Sequence, residues 1–151
     1  MCLITIHHEN NNSSAGLIYF KKQFSETDVK WVFINETCLL LKLIYAPRLQ
    51  RLLQRFYLFR LVLSIFIAFY LMIFIKLKYP SMKKVFVNSS DFAPIFAAIL
   101  CKYIMKCKIQ LTIFDLPETF ARTLFDQFLL RMVFNRCITH FHFIDVVTDA
   151  M

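Results

Sequence analysis

A single glycine, Gly16, stands among 151 residues. Glycine lets backbone approach a phosphate with no Cβ in the way, and the dinucleotide fingerprint and the P-loop each need several. Nucleotide binding by this chain alone is therefore not expected. Acidic residues are missing from a long central stretch: between Thr37 and Ser90 there are nine lysines and arginines and no aspartate or glutamate. The rest of the chain nearly balances, with nine basic against ten acidic residues, so the whole net charge of +8 belongs to that stretch. Cysteine pairs are missing too. Five cysteines are scattered without a CxxC, and no basic-then-apolar leader opens the chain, so reduced thiols in a cytosolic compartment are expected. No GxSxG, HExxH or Walker sequence occurs.

What is abundant is apolar. Hydrophobic residues make up 58%, with 18 phenylalanines, and the mean hydropathy is +0.55. Soluble domains carry roughly 45–50% apolar residues, so part of this surface should meet lipid or a partner. The excess positive charge surrounds the most apolar segment, which points to a membrane surface and anionic lipid. Nucleic acid is not expected, because the aromatics lie in continuous apolar runs rather than interleaved with basic residues.

That segment begins as an amphipathic helix. Leu49, Leu52, Leu53 and Phe56 share one face, and Arg48, Arg51 and Arg55 share the opposite one. It leads into Leu61–Ile75, fifteen residues without a charge. A helix of that length covers about 22 Å against a hydrocarbon core of roughly 30 Å; extension back to Tyr57 gives about 28 Å and takes in Arg60, which can snorkel from near the end. Basic residues flank both ends, so no orientation follows. A helix buried against a sheet or lying in the interface accounts for the composition equally well.

Elsewhere strands alternate with helices. Expected strands are Leu3–Ile6, Val29–Ile34 closed by Asn35, Val85–Val87, Ile109–Phe114 and Ile138–Val147. Expected helices cover 17–24, 57–75, 92–105 and 120–135; Phe120, Leu124, Phe128 and Met132 form an i+4 stripe on the last. Such alternation describes an α/β domain with a parallel sheet covered by helices on both faces. Ligands bind such sheets at the carboxyl ends of the strands. Asn88, Ser89 and Asp91 after one strand, and Asp115 and Glu118 after the next, would then lie side by side there. Each has two readings: helix capping, with Asp91 as N-cap and Asp115–Glu118 as cap and partner, or hydrogen bonding to a ligand's hydroxyls. His140 and His142 point to one strand face, and His7-His8-Glu9 is the other imidazole cluster; no third ligand at a recognised spacing accompanies either, so no metal is expected.

The Ser13-Ser-Ala-Gly16 loop, Val85-Phe-Val-Asn-Ser-Ser-Asp91, Thr112-Ile-Phe-Asp115-Leu-Pro-Glu118 and Phe143-Ile-Asp-Val-Val-Thr-Asp-Ala-Met151 occur in an order that resembles the N-terminal domain of GT-B glycosyltransferases of the family-4-like type. The resemblance covers about residues 3–34 and 84–151. It implies a Rossmann-like domain, half of a GT-B fold, spanning 1–151 with the basic-flanked helical segment at about 48–78. It implies contact with a lipid-linked or polysaccharide acceptor through His8, Ser14, Gly16, Asn88, Ser89, Asp91, Asp115 and Glu118. Arg48, Arg51, Arg55 and Arg60 would face the cytoplasmic membrane surface, peripherally or monotopically. The paired-glutamate donor motif has no counterpart here, so no cofactor is expected in this chain. The sugar nucleotide would belong to a second, donor-binding domain, and the chain alone would be an inactive fragment or half-enzyme. The alternative is a small non-enzymatic integral membrane protein with one hydrophobic helix at 57–75.

Overall fold

The structure, a computed structural model, describes residues 3–7, 29–44, 57–89, 91–113 and 123–146. The elements run β1 (Leu3–His7), β2 (Val29–Phe33), α1 (Ile34–Thr37), α2 (Leu39–Ile44), α3 (Tyr57–Lys78), β3 (Lys84–Asn88), α4 (Phe92–Met105), β4 (Lys108–Ile113), α5 (Leu124–Ile138) and β5 (Phe143–Val146). The five strands form one sheet in the order β2-β1-β3-β4-β5, every neighbour parallel. The expected α/β class and parallel sheet are therefore present.

Alternation along the strands decides which residues make the core. In β3 Val85 and Val87 are fully buried while Lys84, Phe86 and Asn88 are half-buried. Register aligns Ile4 with Val85 and Ile109, and Ile6 with Val87 and Leu111, so these six apolar side chains line one face. Helix α4 lies on β3 and β4, and both α3 and α5 pack against α4, placing the three long helices in one layer over that face. The crossovers β2 to β3, β3 to β4 and β4 to β5 all step in the same direction along the sheet, and one handedness puts them on one side. Among the described residues, helix cover is thus shown on one face. The connection from β1 to β2 steps the other way, and its expected helix at 17–24 lies outside the described residues.

Helix α3 buries only one of its faces. Ser64, Ile67, Ala68, Leu71, Met72 and Ile75 are buried, at the spacing of a single helical stripe. The Ser64 hydroxyl is satisfied by donating to the Arg60 carbonyl at 2.9 Å. Fully buried alanines, Ala68 on α3 and Ala93, Ala97 and Ala98 on α4, leave room for the two helices to come close. Tyr70 donates to the Thr37 carbonyl at 2.9 Å and ties the end of α1 to α3. With no glycine available, α4 ends on Lys106 in the left-handed region, φ 54°, a conformation that costs a non-glycine residue about 1–2 kcal/mol.

Several expected boundaries move. Ile34 opens α1 rather than ending β2. The described helix begins at Leu124 and is capped by Thr123, whose hydroxyl oxygen accepts from the Asp126 amide at 3.1 Å, while the expected start at Phe120 and the Asp115–Glu118 cap lie outside the described residues. Its apolar i+4 stripe faces outward: Leu124, Phe128 and Met132 are exposed, while Leu130, Phe134 and Cys137 are buried. Ile138 belongs to α5, so the last strand starts only at Phe143.

Candidate functional site at the carboxyl edge

The carboxyl ends of β1, β3, β4 and β5 and the amino ends of α3, α4 and α5 meet at one edge. The chain leaves β1 toward β2 in one direction and reaches β3 from the other, so the order reverses between β1 and β3; in such sheets the crevice at the reversal binds ligand. The loop after β3 stands beside it. Asp91 caps α4, accepting from the Phe92 amide at 2.9 Å, and the Ser89 hydroxyl oxygen accepts from the Asp91 amide at 3.0 Å. The same Asp91 oxygen pairs with Arg60 at 3.4 Å. Capping and ion pairing therefore engage Ser89 and Asp91, and Arg60 is turned to the loop. Asp91→Ala should lower stability by about 1–2 kcal/mol, from the lost cap and the orphaned guanidinium, whereas Asp91→Asn should keep most of the cap. Chemical denaturation of the three proteins checks this order.

Asn88 heads a second group on the sheet face away from the long helices. Register places Asn88 beside Thr112, and Thr112 beside Asp145, so the three share that face in one row across β3, β4 and β5. Gln110, one step back along β4, donates to the Asp145 carboxylate. Thr112 is 2% exposed, and its hydroxyl oxygen has no hydrogen-bond partner among the described residues. An unpaired buried hydroxyl costs on the order of 1–3 kcal/mol, which a ligand hydroxyl within reach would offset. Toward the amino edge the same face holds a cavity of about 90 Å³ lined by Lys84, Phe86, Lys108, Gln110 and Phe143 among others. The row offers an amide, a hydroxyl and a carboxylate, a donor and acceptor set suited to a polyhydroxylated ligand.

Of the residues expected at the site, Asn88, Ser89 and Asp91 come together at this edge, while His8, Ser14, Gly16, Asp115 and Glu118 lie outside the described residues. So do Arg48, Arg51 and Arg55. Gln110, Thr112 and Asp145 were not singled out as site residues; matching strand registers would have aligned them with Asn88. No group of three metal-ligating side chains occurs among the described residues. His140 accepts or donates at Nδ1 to the Tyr103 hydroxyl at 2.8 Å, and His142 Nδ1 accepts from the Ile109 amide at 3.2 Å, so both rings have structural roles. Cys38, Cys101, Cys107 and Cys137 are free thiols. Burial pushes Cys101 up to about 12, with neighbouring Cys107 adding to the rise, and pushes Cys107 and Cys137 up to about 11. These three remain protonated at neutral pH and are poor nucleophiles.

Compared with known proteins, the chain matches no family model, no curated protein and no solved structure.

Proposed function

We propose that this chain is the acceptor-binding half of a glycosyltransferase with a GT-B, family-4-like architecture, held at the cytoplasmic face of a membrane. Its sheet would be one Rossmann-like half, and hexosyl transfer would require a donor-binding domain, continuous with it or separate. The observation that carries the reading is the Asn88–Thr112–Asp145 row, which starts on β3 beside the order reversal of a parallel sheet and holds a buried Thr112 hydroxyl with no partner among the described residues. The scarcity of glycine supports placing the sugar nucleotide elsewhere. The integral-membrane alternative has less support, because α3 commits a whole face to the core.

Saturation-transfer NMR on the full chain tests acceptor binding, with octyl gluco-, galacto- and mannopyranosides below micelle concentration and a UDP-sugar as the donor probe. Transfer to the ring protons of at least one glycoside and none to the UDP-sugar is expected. Thr112→Val and Asp145→Asn should each weaken glycoside binding by about 3-fold or more, the worth of one hydrogen bond. Binding of the UDP-sugar without any glycoside would overturn the reading, and so would silence from all the glycosides.

A further inference from the structure

The outward face of α3 is apolar along its whole length. Phe59, Val62, Phe66, Phe69, Ile73 and Leu77 follow one another at steps of three and four, each between 47 and 79% exposed. Its last turn adds exposed Lys76 and Lys78, the latter with its ammonium over the Phe74 and Tyr79 rings at 5.3 and 5.7 Å. Immediately beyond, at the amino edge of β3 and β4, an open depression of about 610 Å³ is lined by Lys83, Lys84, Lys106 and Lys108 together with Pro80, Ser81, Met82 and Met105. Among the described residues none of its lining is acidic, and the sequence holds no acid from Thr37 to Ser90.

We infer that these two features form one docking surface for an anionic lipid bilayer, with α3 lying in the plane of the interface and the lysine depression seated among the headgroups. Charge complementarity selects this occupant. An apolar stripe ending in acid-free lysines matches acyl chains beneath anionic phosphates, whereas lysine is depleted where proteins bind one another. Crossing the bilayer does not fit the fold. The inner face of α3 packs in a layer with α4 over a five-stranded sheet, and a spanning α3 would carry open sheet edges into hydrocarbon, where unpaired backbone is not tolerated. The lysine end also lies opposite the carboxyl edge, so the Asn88 row and the headgroup contacts occupy different ends of the strands. This surface deepens the membrane part of the reading above and rests on it, independently of glycoside binding.

Co-sedimentation of the full chain with phosphatidylcholine vesicles, with and without 30% phosphatidylglycerol, tests the surface. Binding is expected to the mixed vesicles and to weaken with added salt. Phe66→Ser/Phe69→Ser and Lys83→Gln/Lys106→Gln/Lys108→Gln should each reduce it on the order of 10-fold or more, on the scale of lost apolar burial and of lost headgroup attraction. All five residues are exposed, so circular dichroism should show both variants folded. Undiminished binding by either variant overturns this surface but leaves membrane association standing. Absence of binding by the unaltered chain overturns both, without touching the glycoside result. A dimer in vesicle-free solution that the phenylalanine variant dissolves would reassign the face to a second copy.

Discussion

Leu71→Ala is expected to destabilise the fold by about 2–5 kcal/mol, while Phe66→Ala on the same helix changes stability by less than about 0.5 kcal/mol. Leu71 is fully buried in the stripe that α3 presses into the core; Phe66 points outward, 69% exposed. Truncating Leu71 removes apolar area from the core and leaves a cavity that a close-packed interior closes only in part. Truncating Phe66 opens no cavity, because water already reaches the ring. Guanidinium titrations followed by far-UV circular dichroism measure both. The contrast separates a helix that is half core from one surrounded by lipid, for which the two positions would be equivalent. A Leu71→Ala loss below about 1 kcal/mol would refute the packing of α3 described above.

The same helix shows where sequence reasoning succeeds and where it stops. A long apolar run between lysines and arginines identifies α3 to within three residues. It does not reveal which stripe faces in, because both stripes are apolar and periodicity carries contrast only when one side is polar. Helix α5 has the same ambiguity: Leu124, Phe128 and Met132 form the clearer stripe, yet Leu130, Phe134 and Cys137 are the buried side chains. In β3 and β4 the alternation is legible, since Lys84 and Lys108 bracket it with charge and Val85, Val87, Ile109 and Leu111 fill the buried positions.

At the site, local chemistry was readable and distant pairing was not. Asp91 as N-cap follows from the residues next to it, and the structure bears it out. Its ion pair with Arg60 joins residues 31 apart, and nothing local to either position announces it. Arg60 is expected at a membrane surface from the basic, acid-free stretch around it, and that stretch holds no sign of a carboxylate partner farther along the chain. The Asn88–Thr112–Asp145 row depends on the registers of three strands, and a slip of one residue in β4 would turn Thr112 into the core and bring Leu111 or Ile113 into the row. Short strands bounded by polar loops leave that register open until the tertiary packing selects it.

Alkaline pH should destabilise this protein sharply, through thiols that the fold keeps neutral. Burial holds Cys101 at about 12, raised further by Cys107, against an ordinary value of 9.0, and holds Cys107 and Cys137 at about 11. Below pH 9 both folded and unfolded chains keep these protons, so the thiols impose no penalty on folding. Above it the unfolded chain releases protons that the folded chain retains, and each such thiol lowers stability by about 1.4 kcal/mol per pH unit until it ionises in the folded state as well. For Cys101 alone the interval from 9.0 to about 12 corresponds to about 4 kcal/mol, a large share of the roughly 5–15 kcal/mol that holds a domain together. Lysines and tyrosines also titrate in this range, so the measurement is a difference. Guanidinium midpoints of the unaltered chain and of Cys101→Ala, taken under reducing conditions from pH 8 to 10.5, remove their common contribution. The gap between the two proteins should narrow by about 2 kcal/mol across that interval, since only the unaltered chain gains the Cys101 ionisation on unfolding. Parallel pH profiles would mean that Cys101 reaches solvent in the folded state, and with it the packing of α4 against the sheet would have to be redrawn.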